Sequence, residues 1–117
     1  MDDDPGLISN LLTVIDKRDW DGLTDLVTRD VVYHRPGVAP IEGADAFVAF
    51  YKRRCIVSAG RHQVDRCVSI DGQGFCWGRF DGMSHAGVPL NEIFADWYEI
   101  RAGRIARRRT FFYRPAI

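Results

Sequence analysis

Two hydrophobic periods divide the 117 residues. Leu7, Ile8, Leu11, Leu12, Val14 and Ile15 recur at i, i+3, i+4 and i+7, which predicts an amphipathic helix over about 6–17. "KRDWDGL" interrupts the pattern. Asp19 is then placed to cap a short second helix in which Trp20, Leu23, Leu26 and Val27 share a face. "VVYHRPG" predicts a short strand stopped by Pro36-Gly37, and "GVAPIEG" a loop. A third helix starts near Gly43 with Phe47, Phe50 and Tyr51 on one side. Beyond "SAGR" the period falls to two, predicting strands at about 61–70, 74–84, 90–101 and 104–114. Their connections are "DGQG", "HAGVP" and "RAGR"; the first and last offer glycine where a tight hairpin needs positive φ. Helices first and hairpin-linked strands after them mean an α+β chain. With no repeat or linker in view, residues 1–117 read as one domain.

Composition narrows the class. At 46% hydrophobic and 12% aromatic residues, the chain can bury a core. It has no apolar run near the ~18–20 residues of a membrane span, and "MDDDPGLISN" lacks the basic-then-apolar order of a signal peptide. A cytoplasmic protein that does not bind membranes is expected. Cys55, Cys67 and Cys76 form no CxxC pair and read as free thiols. Formal net charge is zero, but residues 1–30 hold eight acids against three bases, and 101–117 hold six arginines and no acid. In a strand, Arg107, Arg108 and Arg109 alternate between faces, so they do not make one nucleic-acid patch. The three histidines lack HxH, HxxxH and HExxH spacing, and there is no Gly-rich phosphate loop or GxSxG. No metal and no cofactor are expected.

Strand 90–101 carries the most informative position. Glu92, Phe94, Asp96, Tyr98 and Ile100 face one way, and Ile93, Ala95, Trp97 and Glu99 the other. Both sets are largely apolar, so the outer face is expected to pack on a second subunit as a homodimer. Asp96 is costly in such a place. Either it is desolvated and does proton chemistry, or it pairs with an arginine such as Arg79 or Arg108 and is structural.

"RDWDGLTDLVTRDVVYHRPG", "IEGADAFVAFY" and "ADWYEIRAGRIARRRTFFY", in that order, resemble the nuclear-transport-factor-2-like superfamily and, within it, the SnoaL-like and ketosteroid-isomerase-like branch. The resemblance implies three N-terminal helices on a curved, mainly antiparallel sheet, a cystatin-like or ketosteroid-isomerase-like α+β barrel around a conical cavity. It also implies dimers through the outer sheet face. Asp96 matches the Asp that, in ketosteroid isomerases, donates to the developing oxyanion, and that in SnoaL-type polyketide cyclases does acid–base work. The isomerase general base falls at His34 when aligned back from Gly43 and at Arg35 when aligned forward from Asp19; His34 is preferred because imidazole titrates near neutrality. His85, eleven residues before Asp96, is a second candidate proton carrier, and Tyr33 and Tyr98 are candidate hydrogen-bond donors. Trp20, Phe50, Trp77, Phe80, Phe94, Tyr98 and Phe112 are candidates for the substrate-binding wall, and His62 reads as a plain surface residue.

Some family positions differ. The isomerase tyrosine of helix one is matched by Leu11, and the Arg and second Asp of limonene-epoxide-hydrolase-like sites by Phe94 and Thr110. The resemblance therefore implies a cofactor-independent isomerase or cyclase using one Asp and one or two His on a hydrophobic, oxygenated, polyketide- or terpenoid-like metabolite. The alternatives are a non-catalytic ligand-binding or structural dimer, and an epoxide-hydrolase-like ring opening.

Overall fold

The computed structural model describes residues 5–114, apart from the side chains of Pro5 and Arg54, so the acidic start and the last three residues lie outside the described residues. Helix α1 (Pro5–Asp16) buries Leu7, Ile8, Leu11, Leu12 and Ile15 against strand β3 and helix α2. In α2 (Trp20–Leu26) the cap is the expected one: Asp19 Oδ1 accepts the Gly22 N–H at 3.0 Å. Val27, read from sequence as helical, instead opens strand β1 (Val27–His34). Its branched side chain suits a strand, and with Val31 and Tyr33 it buries on the inner face.

The expected loop after β1 holds a two-residue strand, β2 (Ile41–Glu42), paired antiparallel with β1 and extended by the Gly43 N–H donating to Val31 O at 2.7 Å. Helix α3 (Ala44–Ala49) then widens into a π-helical turn, Phe50–Arg54, closed by the Cys55 N–H on Phe50 O at 2.9 Å. This turn delivers Tyr51 inward. The ring packs edge-on against Phe47 and Phe50, with centroids 5.4 and 5.2 Å away.

The meander follows as β3 (Val57–Ile70), β4 (Gln73–Ser84), β5 (Pro89–Arg101) and β6 (Arg104–Phe112). The β3–β4 turn has positive φ at Asp71 and Gly72, and the β5–β6 turn at Ala102 and Gly103, as two-residue hairpins with native twist require. Strand order is β2-β1-β6-β5-β4-β3, with β1 and β6 parallel and every other pair antiparallel. The result is α+β, three helices on a mixed six-stranded sheet that wraps them without closing. Register shifts at Val64/Arg66 in β3 and Glu99/Ile100 in β5 are the irregularities that bend such a sheet. The tip of the Phe80 ring sits against Gly60, where a Cβ would meet it at 2.0 Å, so the close seat of this ring needs glycine.

Parity on β5 is as read from sequence: Glu92, Phe94, Asp96, Tyr98 and Ile100 are all buried. The outer face differs from an ordinary solvated one. Phe75, Trp77, Ile93 and Phe111 are each about half exposed. Register joins them, since Trp77 and Phe111 both flank Ala95 and Phe75 lies opposite Trp97.

Candidate functional site

Between the helices and the inner sheet face lies a cavity of about 50 Å³, enough for a water or two or the reacting end of a small molecule. Its apolar wall is Ile15, Val57, Phe80, Phe94 and Phe112; its polar groups are Asp16, Arg18, Arg35, Tyr51, His62, Arg108 and Thr110.

Two of these form a dyad. Asp16 ends α1 one turn beyond Leu12 on the buried stripe, and His62 points inward from edge strand β3. His62 Nδ1 lies 2.6 Å from Asp16 Oδ1, and the His62 backbone N–H donates to Asp16 Oδ2 at 2.8 Å. A carboxylate at Nδ1 selects the tautomer with the proton on Nδ1, which leaves the Nε2 lone pair open. Among the described residues Nε2 has no hydrogen-bond partner. The ring is held by Phe80 and Phe94, with centroids 4.8 and 5.2 Å away. Both side chains keep some access to solvent, 13% for His62 and 15% for Asp16.

The opposite wall is a chain of buried hydrogen bonds around Asp96. Its side chain has no exposure. Oδ2 accepts from Tyr98 OH at 2.6 Å and from Arg108 Nε and Nη2 at 3.2 and 3.1 Å; Oδ1 accepts from Thr110 Oγ1 at 2.6 Å. Because Thr110 donates to Asp96, its oxygen accepts from Tyr33 OH at 2.8 Å, and the Tyr33 oxygen accepts from Arg35 Nη1 at 2.9 Å. Arg108 also donates through Nη1 to Tyr51 OH at 2.6 Å. Tyr51 thus accepts a charge-assisted bond while its own proton has no acceptor among the described residues. Burial, against the pull of Arg108, raises the Tyr51 pKa, so the phenol stays a neutral donor. Burial is the largest influence on Arg108 and opposes its charge, but Asp96 together with Tyr33, Tyr51 and Tyr98 outweighs it, so the guanidinium stays protonated.

The candidates named from sequence are divided by this geometry. Phe94 and Phe112 stand on the cavity wall, as does Phe80. Asp96, Tyr33 and Tyr98 are on the inner face but behind the wall, each joined to it through hydrogen bonds. Asp96 has the arginine partner of the structural alternative, Arg108, with the cavity beside the pair. Phe50 is buried against Tyr51 and lies 5.3 Å from the Arg35 guanidinium. Trp20 stacks on the far side of Tyr51 at 6.0 Å, over the groove between α2 and α3.

Trp20 and Phe50 thus meet Tyr51 rather than the cavity, and three further candidates lie away from it. His34 is off the cavity wall, because strand parity turns it away from Tyr33 and Arg35. There, burial and then Arg109 and Arg107 lower its pKa. The other alignment, onto Arg35, is the one that reaches the cavity. His85 is exposed in the turn between β4 and β5. Trp77, one residue off the inward set Cys76, Gly78 and Phe80, is on the outer face. Conversely, sequence reading passed over His62, Asp16 and Tyr51. The signals were present: Ile8, Leu12 and Asp16 share one stripe at four-residue spacing, and His62 shares its strand parity with Val64.

The model of the SnoaL-like domain family matches residues 8–108. No curated protein matches the chain significantly in sequence. Solved structures share the fold. An LEH-like epoxide hydrolase from M. tuberculosis superposes with a TM-score of 0.81 at 16% identity, over 92% of this chain and 80% of that one. An NTF2-like protein from Burkholderia pseudomallei gives 0.82 at 16% identity, over 92% and 88%. A protein with a ketosteroid isomerase-like fold from Catenulispora acidiphila, in complex with trimethylamine, gives 0.82 at 12% identity, over 92% and 85%. With its family model covering most of the sequence and the same fold in these structures, the chain belongs to the SnoaL-like domain family.

Proposed function

We propose that this chain is a cofactor-independent acid–base catalyst of isomerisation or cyclisation, acting on the enolisable carbonyl of a hydrophobic, oxygenated metabolite of polyketide or terpenoid type. One observation carries the reading: a single cavity is lined by an imidazole nitrogen and a phenol proton that are unengaged among the described residues, each anchored from behind. His62 Nε2 takes a proton from the carbon beside the carbonyl, and Asp16 stabilises the resulting imidazolium. Tyr51 O–H, polarised by Arg108, donates to the carbonyl oxygen as it becomes an enolate. Where a β,γ double bond makes it a dienolate, it takes the proton back from His62 at the γ-carbon, which is isomerisation; otherwise its α-carbon attacks a second carbonyl of the same molecule, whose oxygen takes the proton from His62, which is cyclisation. Asp96 acts one step removed, fixing Arg108 and Thr110.

The apolar wall supports a hydrophobic substrate, and a cavity of about 50 Å³ takes only its reacting end. The outer sheet face, with Trp77, Phe75, Ile93 and Phe111 exposed together, supports a homodimer through that face. We read residues 1–117 as one cytoplasmic domain of this kind; among the described residues, no helix is long and apolar enough to cross a membrane.

The test is isomerisation of cyclohex-3-enone to its conjugated isomer, followed by ultraviolet absorbance. Tyr51→Phe keeps the ring packing and removes the donor. A fall in kcat of about 10²–10³ supports the reading, the size seen when one oxyanion donor is lost. Equal rates for wild type and Tyr51→Phe remove Tyr51 from the mechanism.

A further inference from the structure

We infer that the molecule bound in this cavity carries a carboxylate, and that Arg108 is its anchor. The inference deepens the acid–base reading of the same site and rests on it for the location of the reacting carbonyl. Arg108 is 2% exposed. Its two faces are covered by the rings of Tyr33 and Tyr98, 4.7 and 5.9 Å from the guanidinium carbon, so a ligand can meet it only at an edge. A guanidinium has five N–H groups. Nε and Nη2 each give one to Asp96, and Nη1 gives one to Tyr51. One N–H on Nη1 and one on Nη2 therefore have no partner among the described residues, and the side chain lines the cavity.

Burying a donor pair of this kind is unfavourable unless something accepts from it. Water can accept singly, but a planar carboxylate satisfies two neighbouring N–H groups at once. The substrate class that fits both readings and a cavity of about 50 Å³ is a short oxo acid, with its carboxylate at Arg108 and its enolisable carbonyl between Tyr51 and His62.

The probes are butanoate and its neutral isostere butanamide, titrated calorimetrically into the wild-type protein at matched ionic strength. Butanoate should bind at least about tenfold more tightly than butanamide, the size expected of charge-assisted hydrogen bonds. Arg108→Lys keeps the charge but loses the fork and should weaken butanoate by about tenfold or more. If that variant is unfolded, Asp96→Asn with Arg108→Gln removes both buried charges together and should abolish the preference for the acid. Equal binding of acid and amide, no binding of butanoate, or an unchanged preference in the folded double variant overturns the inference. Turnover separates the two readings. Wild-type protein that fails to bind butanoate but shows Tyr51-dependent isomerisation of cyclohex-3-enone sinks the carboxylate site alone. Butanoate binding through Arg108, with isomerisation indifferent to Tyr51, sinks the acid–base reading alone.

Discussion

Asp96→Asn separates a proton carrier from a positioning residue. The side chain is fully buried and accepts four hydrogen bonds, from Tyr98, Thr110 and two Arg108 nitrogens. Asparagine preserves the shape and one acceptor but turns an amide N–H₂ towards hydroxyl or guanidinium donors. It also leaves Arg108, equally buried, without its counter-charge. Removing one partner of a buried ion pair costs about 3–5 kcal/mol, a large part of the ~5–15 kcal/mol that holds a domain of this size folded. At roughly 4 °C per kcal/mol, the melting temperature should fall by about 10–20 °C. Asp96→Asn combined with Arg108→Gln should recover part of this, giving a coupling of about 1–3 kcal/mol in the double-mutant cycle. Denaturant unfolding, with m-values compared between variants, is the assay. A loss below about 1 kcal/mol, or strictly additive single effects, would refute the structural argument. A stable Asp96→Asn protein that had lost only turnover would instead restore Asp96 to the proton-carrying role expected from sequence.

Three further expectations follow from single residues. Burial and the Asp96 charge push the Cys76 thiol up to about 12, so at pH 8 it should resist iodoacetamide in the folded protein and react once unfolded, as read by mass spectrometry. His34 is held below its ordinary pKa by burial and by Arg109 and Arg107, so the unfolded chain takes up its proton first. Stability should therefore decline as pH falls below about 6.5, and His34→Gln should flatten that part of the profile; an unchanged slope contradicts the assignment. Trp77→Glu places a charge in the exposed aromatic face and should convert the proposed homodimer to a monomer by light scattering, whereas a monomeric wild type would sink the interface.

Much of the fold was legible because its signals are local. The stripe of α1, the Asp19 cap and the glycine turns are each set by neighbours within a few residues. What was not legible depends on distant register. The parallel pairing of β1 with β6 joins residues more than seventy positions apart, and it is this pairing that brings Tyr33 to Thr110. The site divided in the same way. Strand parity placed Asp96 on the inner face, but whether it met the cavity or an arginine depended on Arg108 arriving from the next strand. His62 looked bland because its partner lies forty-six residues earlier at a helix end. His34 and Arg35 are adjacent in sequence, so one step of parity decided which entered the cavity.

His62 is the residue on which the proposed proton transfer depends. The direct measurement is exchange of the α-protons of 2-pentanone and 4-oxopentanoate with D₂O, followed by proton NMR for wild type and His62→Gln, with melting curves confirming that both are folded. Wild-type protein should accelerate exchange, and His62→Gln should reduce that acceleration by about 10²–10⁴, the range for loss of a positioned general base. Equal exchange rates in the two folded proteins would contradict the assignment of the His62–Asp16 dyad as the base of the site.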